Sequence, residues 1–504
     1  MKISRRRFLE FSAVAGGSLA AGSSSLLAGC TAGDANTPRS DVDAGGALYR
    51  PPMIPVDDVT LTARRVVAEV ADGVRSPVLS WGDGPLGPTL EARRGDRARI
   101  EMRNELGEPT IAHWHGLRPP EEADGHPRFS VPPGARYDYA FDVDEPAGLY
   151  WYHSHAHERT APQVYHGLAG LFVVRDEVEA ALDLPTGERE ILLALQDKRQ
   201  GSSGELVYNP MGHQLMEGFL ADTPFVNGTV APTIEVESAL YRVRVLGAAN
   251  ARIFRIGLSN GAPLTLIGTD AGLLDRPLEL PYLDLSTGER ADLLIDFSGV
   301  PEGTTVTLKS LPFPDPSAGG MGMMRRGMGM MRRGMGMMRG LGLPQGAELD
   351  LARFVVTREV TDDHRIPETL APRPSLRRSE ATRERVFHFD SMMMSHTING
   401  RSFGLERVDE RVPFGATEVW RFVNNGPFPH PVHMHAVHFQ VLGRSGGRGA
   451  VMPWERGWKD TVLALPGETV DVIARFDSHR GLFLMHCHNL EHEDMGMMMN
   501  FVIE

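Results

Sequence analysis

Along most of the chain, apolar and polar residues alternate in short runs. In Arg97-Ala98-Arg99-Ile100-Glu101-Met102-Arg103, the apolar Ala98, Ile100 and Met102 share one face of an extended strand. Turn clusters such as Asp83-Gly84-Pro85, Pro132-Pro133-Gly134 and Asn424-Asn425-Gly426-Pro427 separate these runs. Sustained helical periodicity is scarce, so the pattern predicts an all-β protein of sandwich type. It also divides the chain. A first body at 48–175 ends in the strand Leu171-Phe172-Val173-Val174. A second at 188–360 contains a strand over residues 289–297. A Pro/Arg-rich linker at 361–382 precedes a third body at 383–504. Pattern and composition alone give only several β-sandwiches.

Composition changes this picture mainly at the N-terminus. The 41% hydrophobic content over 504 residues is that of an ordinary globular protein. Ser4-Arg5-Arg6-Arg7-Phe8-Leu9 resembles a twin-arginine export signal, and an apolar stretch follows from Phe11 to Leu27. Gly16, Gly17, Gly22 and several serines make that stretch too weakly apolar for a membrane span. Leu27-Ala28-Gly29-Cys30 resembles a lipobox, which predicts acylation of Cys30 at the end of a signal at 1–30. The alternative is a plain signal with a chance cysteine. The polar, Gly/Pro/Asp-rich residues 31–47 read as a tether. These features predict a periplasmic or cell-surface protein that meets a membrane only through Cys30. The formal charge of −13 argues against nucleic acid as a partner and suits a solubilising surface.

The chemistry is concentrated in residues 486–497, HCHNLEHEDMGM. A thiolate (Cys487), an imidazole (His492) and a distant thioether (Met497) form the ligand set of a blue-copper electron-transfer centre, if one more histidine joins them. His486 and His488 flank the cysteine. In a strand they point to the face opposite Cys487 and can hold other ions. Three further blocks carry a His-x-His pair: His113/His115 in HWHG, His153/His155 in WYHSHAH, and His433/His435 in HPVHMH. Eight imidazoles are about what three coppers need when oxygen ligands complete their spheres. His430 is left over and fits as the missing histidine beside Cys487, His492 and Met497. A lone His-x-His is ordinarily a surface or core pair; four of them around a His-Cys-His are not. The only other cysteine is Cys30. If one carries lipid and the other metal, no disulfide forms.

These four blocks resemble the four copper motifs of the multicopper oxidases, the family of laccases, bilirubin oxidases and bacterial cuprous oxidases. The resemblance covers most of the chain. It implies three cupredoxin-like Greek-key β-sandwich domains, with a trinuclear copper cluster between the first and third, and four copper ions. His430, Cys487, His492 and Met497 would bind the type 1 ion, and His113 and His433 the type 2 ion. His115, His153, His155, His435, His486 and His488 would bind the type 3 pair. The implied reaction takes electrons singly at the type 1 copper and reduces dioxygen to water at the cluster. The expected solvent-facing edge is His492 or His430. Asp124 resembles the family's proton-relay acid, and Glu493 follows a type 1 ligand; each could instead hold a histidine in its tautomer. The other nine histidines, His126, His157, His166, His213, His364, His388, His396, His438 and His479, match no ligand position and read as ordinary.

The electron donor is less legible. Within an insert at 319–341, a seven-residue repeat (MGMMRRG) carries Met321, Met323, Met324, Met328, Met330, Met331, Met335, Met337 and Met338. Thioethers favour Cu(I), and the interleaved glycines and arginines argue against ordinary core. A functionless insert, or a basic arm using Arg325, Arg326, Arg332, Arg333 and Arg339, is the alternative. Further sulfur lies at Met392, Met393, Met394, Met498 and Met499. The expectation is a monomeric cuprous oxidase in copper tolerance, with dioxygen and Cu(I) as substrates. Laccase-like oxidation of small phenols or aromatic amines is the alternative, and copper storage without turnover a third. One departure counts against a dedicated Cu(I) site. Some cuprous oxidases carry an acid and a methionine just before the third motif, where this chain has Gly426-Pro427-Phe428-Pro429.

Overall fold

The structure, a computed structural model, describes residues 45–318, 342–392 and 394–504. The expected signal with Cys30, most of the tether, Met393 and the nine repeat methionines lie outside the described residues. Among the described residues nearly all regular structure is β, in six sheets that pair by sequence range into three sandwiches. In the first sandwich, a four-stranded sheet contains Arg97–Asn104, where Ala98, Ile100, Met102 and Asn104 are buried and the intervening side chains are not. This is the alternation expected of a sheet with one wet face. It packs on a five-stranded sheet whose last three strands are Ala169–Arg175, Gly148–Ser154 and Ala112–His115.

That second sheet is buried on both faces, which explains its continuous apolar runs. Tyr150, Tyr152, Phe172 and Val174 face their own core. Leu149, Trp151, Leu171 and Val173 instead pack against Ala194, Leu246 and Ala248 of the second body. The two faces alternate with the period of two that a strand imposes. The second body pairs a seven-stranded with a six-stranded sheet around a core that includes Val243, Phe254, Leu293 and Phe354. In the third, the five-stranded sheet ordered Val408–Val412, Met498–Ile503, Gly481–Cys487, His430–Met434 and Thr461–Ala464 covers a second five-stranded sheet.

Two connections differ from the sequence reading. Residues 45–47, read as tether, form a strand parallel to Pro232–Glu237, and Leu48 is buried in the core of the second body. Leu48 therefore belongs by packing to the second body and not to the first. The linker at 361–382 is docked: Leu370 is buried in the second core, and the amides of Leu370 and Ala371 donate to the carbonyls of Asp275 and Leu274. Among the described residues, no helix is long and apolar enough to cross a membrane.

Candidate functional site

Two strands of the third body carry both ends of the site. In register, Val432 lies opposite Cys487 and His433 opposite His486. Val432, Met434, Met485 and Cys487 point into the core, so His433 and His486 point out of it. His430 shares the inward parity of Val432. The helix Leu490–Asp494 follows the Cys487 strand; its cap Asn489 accepts from the amide of His492. The result is a buried triangle. The sulfur of Cys487 lies 3.4 Å from His430 Nδ1 and 3.6 Å from His492 Nδ1, and the two nitrogens are 3.2 Å apart. Met497 is buried in the same core, and its carbonyl accepts from the Cys487 amide at 3.0 Å.

This donor set fits a trigonal soft-metal centre. His492 donates through Nε2 to the Met216 carbonyl at 3.0 Å, which leaves Nδ1 free. Burial, then the neighbouring His396, pushes His430 down to about 3, so it stays neutral. Burial pushes the Cys487 thiol up, and a cation held among the three donors would supply the charge a thiolate needs. The expected solvent-facing edge is absent: His430 and His492 are both 0% exposed. The cover is not legible in the sequence because the helix Gly212–Glu217, which supplies it, comes from the second body.

The outward-facing histidines meet those of the first body. His113 lies opposite His153 in register, and Trp114 between His113 and His115 fills the core. Across the interface, His113 stacks on His435 and His115 on His433, each with ring centroids 3.7 Å apart. His115, His153 and His488 converge as one group of three, and His155, His435 and His486 as another. His113 and His433 remain, with Nε2 atoms 3.4 Å apart. Burial, then neighbouring rings, holds His113, His153, His435 and His488 well below the usual imidazole range, and His155 lies at about 3. His153 Nε2, His115 Nδ1 and both ring nitrogens of His488 have no hydrogen-bond partner, although buried polar groups are almost always paired. Metal cations among these lone pairs would satisfy them.

Both carboxylates singled out in the sequence touch this chamber. The Asp124 carboxyl accepts from His435 Nδ1 at 2.7 Å, and its carbonyl accepts from His113 Nδ1 at 2.7 Å. Gly125 permits this approach: it has φ +85°, and a Cβ there would run into the Ala112 carbonyl. Glu493 lies 3.2 Å from His486 Nδ1 and 3.7 Å from His155 Nε2. Burial pushes Asp124 well above, and Glu493 above, the usual carboxylate range.

Other residues of the site escaped the sequence reading. Asp460 takes a hydrogen bond from His115 Nε2 at 3.0 Å, and its carbonyl takes one from His433 Nδ1 at 2.9 Å. Burial opposes its charge, but Arg290 and then His115 outweigh that and hold its carboxyl well below the ordinary range. From the second body, Thr287 donates to the His488 carbonyl at 2.6 Å. Gly288, at φ +84°, lies so close that a Cβ would stand 3.0 Å from His115 and 3.1 Å from His488. Asp460 and Arg290 lie in the stretches 457–462 and 289–297, where no spacing marks either as a partner of the site histidines. Among the nine histidines read as ordinary, none enters a metal-binding group in the described residues. His396 is nevertheless not ordinary, since its ring stacks on His492 at 3.9 Å.

A Gly288→Ala protein is expected to lose about 1–3 kcal/mol of stability from its left-handed backbone alone and to bind less copper at His115 and His488. Metal analysis with a denaturation curve checks this; full loading at unchanged stability contradicts it.

Comparisons with known proteins agree with this geometry. Family models described as multicopper oxidase match residues 62–179 and 377–504. The laccase of Bacillus subtilis (strain 168) is 30% identical, across 84% of this chain and 90% of its own. The solved McoA multicopper oxidase of the hyperthermophile Aquifex aeolicus is 33% identical, with TM-score 0.80, across 91% of this chain and 99% of its own. A multicopper oxidase of Campylobacter jejuni, described as a metallo-oxidase, is 25% identical, with TM-score 0.76, across 91% and 95%. The three sandwiches are cupredoxin-like domains, and copper is the metal that the histidine clusters fit. This chain belongs to the multicopper oxidase family, oxidoreductases that use oxygen as electron acceptor.

Proposed function

We propose that the protein holds four copper ions and couples one-electron oxidation of Cu(I) to the four-electron reduction of dioxygen to water. The observation that carries this reading is one strand, Gly481–Cys487, whose last residues serve both sites: Cys487 faces the inner triangle while His486 faces the chamber. His430, Cys487, His492 and Met497 would hold the type 1 ion. His113 and His433 would hold the type 2 ion. His115, His153 and His488, with His155, His435 and His486, would hold the type 3 pair. Copper so held supplies electron transfer at the first centre and dioxygen reduction at the second.

The chain's own part is geometry and protons. Cys487 is covalently continuous with His486 and His488, so the two centres share a short bonded path. Asp124 fixes the tautomer of His435 and thereby aims its Nε2 into the chamber. Two water molecules require four protons at a site whose lining side chains are buried. Asp124 and Glu493 are the carboxyls at its wall that burial favours in the protonated form. Asp124→Asn and Glu493→Gln are each expected to keep the copper and lose about 10²-fold in oxygen turnover. Oxygen uptake and metal content measured on one sample check this; undiminished turnover at full loading removes the residue from proton delivery.

The covered type 1 histidines favour a small donor. A phenol oxidised by ring-edge contact needs an exposed imidazole edge, and neither His430 nor His492 offers one. Soft sulfur at Met392 and Met394 is exposed nearby in sequence to His396, and the repeat methionines would collect Cu(I). The relationship to a metallo-oxidase supports the same choice, while that to a laccase keeps phenols as the second reading. Deleting residues 319–341 should abolish oxygen uptake with Cu(I) and leave the slow uptake with a dimethoxyphenol unchanged. Unaltered Cu(I) kinetics would sink the role of the repeat. We further propose export by the twin-arginine route and anchoring by lipid at Cys30; labelling with a radioactive fatty acid, lost in Cys30→Ala, tests the anchor.

A further inference from the structure

Three successive carbonyls at the end of the helix Gly212–Glu217 accept from three side chains of the third body. His396 Nε2 donates to Leu215 at 3.2 Å, His492 Nε2 to Met216 at 3.0 Å, and Asn489 Nδ2 to Glu217 at 3.1 Å. Terminal helix carbonyls have no partner within the helix, so these bonds satisfy groups that water would otherwise take. Two of the donors are stacked imidazoles. The rings of His396 and His492 lie 3.9 Å apart at 25°, and only His492 belongs to the metal triangle. His396 is itself fixed at its other nitrogen by the Ser391 hydroxyl at 2.7 Å, and is 0% exposed. The chain on either side of this helix is latched to the helix Leu490–Asp494 through Glu491. Glu491 accepts from the Phe219 amide at 2.9 Å, from the Tyr208 hydroxyl at 3.0 Å and from Asn250 Nδ2 at 2.7 Å.

We propose that His396 is a positioning residue for the type 1 centre: stacked on His492 and bonded to the Leu215 carbonyl, it holds the helix Gly212–Glu217 as a fixed cover that selects small donors over ring-shaped ones. The cover rests on four side chains, but His396 alone is neither a metal ligand nor in the bonded chain from Cys487 to Met497. Without it the Leu215 carbonyl loses its partner and the outer face of His492 loses its ring. The helix is only six residues long and has little stability of its own, so its place depends on these contacts. The inference rests on reading His430, Cys487 and His492 as the type 1 site.

Two variants of the copper-loaded full chain separate the contacts. His396→Phe keeps the ring and removes both hydrogen bonds; His396→Gln keeps an N–H for Leu215 and removes the stack. Hydrogen exchange read peptide by peptide should speed up about tenfold over residues 208–219 in His396→Phe, and much less in His396→Gln, with Thr417–Asn424 unchanged in both. The ratio of kcat/KM for a dimethoxyphenol to that for Cu(I) should rise about tenfold in His396→Phe as the His492 edge becomes reachable. The visible thiolate band should move in His396→Gln, where the stacked ring is gone. Wild-type exchange over 208–219 in His396→Phe, or acceleration spread across the whole third body, would overturn the proposal. A wild-type protein without the visible band would instead remove the type 1 reading, while the exchange experiment would still report on the cover.

Discussion

A Cys487→Ser protein is expected to lose its intense visible absorption and at least about 10³-fold in oxygen turnover with either donor, equivalent to about 4 kcal/mol of barrier at 25 °C. The size follows from the double duty of one residue. Its sulfur is the only soft anionic donor in the triangle with His430 and His492, and its backbone joins that triangle to the chamber through His486 and His488. A hydroxyl is harder and far less acidic than a thiol, so serine supplies no comparable ligand. Serine is close to cysteine in volume, and the fold should survive. The chamber histidines keep their register, so copper content should fall by one ion per chain while the rest stays bound. Turnover within tenfold of the parent, with the band absent, contradicts this assignment.

Arg290→Met is expected to cost about 3–5 kcal/mol of stability, because removing one partner leaves buried carboxylates uncompensated. Arg290 ties the three bodies together. It donates to the Leu149 carbonyl of the first, to the Gly288 and Asp270 carbonyls of the second, and to both oxygens of Asp460 in the third, at 2.7 and 2.5 Å. All of these groups are buried. Lys459 offsets part of the loss, since it reaches Asp270 at 2.9 Å and Glu289 at 3.1 Å. Asp460 has no such substitute. Freed from Arg290, it would no longer be held against His115 Nε2, and the histidine whose Nδ1 faces the chamber would lose its orientation. Denaturant unfolding followed with copper analysis checks both effects. A loss below about 1 kcal/mol, with full loading, would show that Asp460 is satisfied without Arg290.

Residues that obey a local period were legible in the sequence. The His-x-His pairs could be read because a strand returns to the same face every second residue. The same parity sets Cys487 against His486, and the register of His433 with His486 and of Val432 with Cys487 bears it out; His488 lies just past the end of that strand and meets His115 and His153. The all-β pattern was legible for the same reason, as in Arg97–Asn104. Partners that meet only through tertiary packing were not legible. Asp460 and Arg290 are 170 residues apart, and neither has a spacing that marks it. Gly288 was one glycine among many until its φ and its closeness to His115 and His488 were known. The covered edge of His492 depends on Met216, 276 residues away. His396 gave no sign, because stacking on the His492 ring leaves no trace in spacing.

On the proposed function, the inner triangle and the outer chamber together bind four coppers joined through Cys487. Copper counted per chain on fully loaded wild-type and Cys487→Ser protein, with the visible spectrum of each, tests it most directly. Four ions and an intense band are expected in the first, and three ions without the band in the second. One or two ions in the wild type, or a band that survives the substitution, would contradict it.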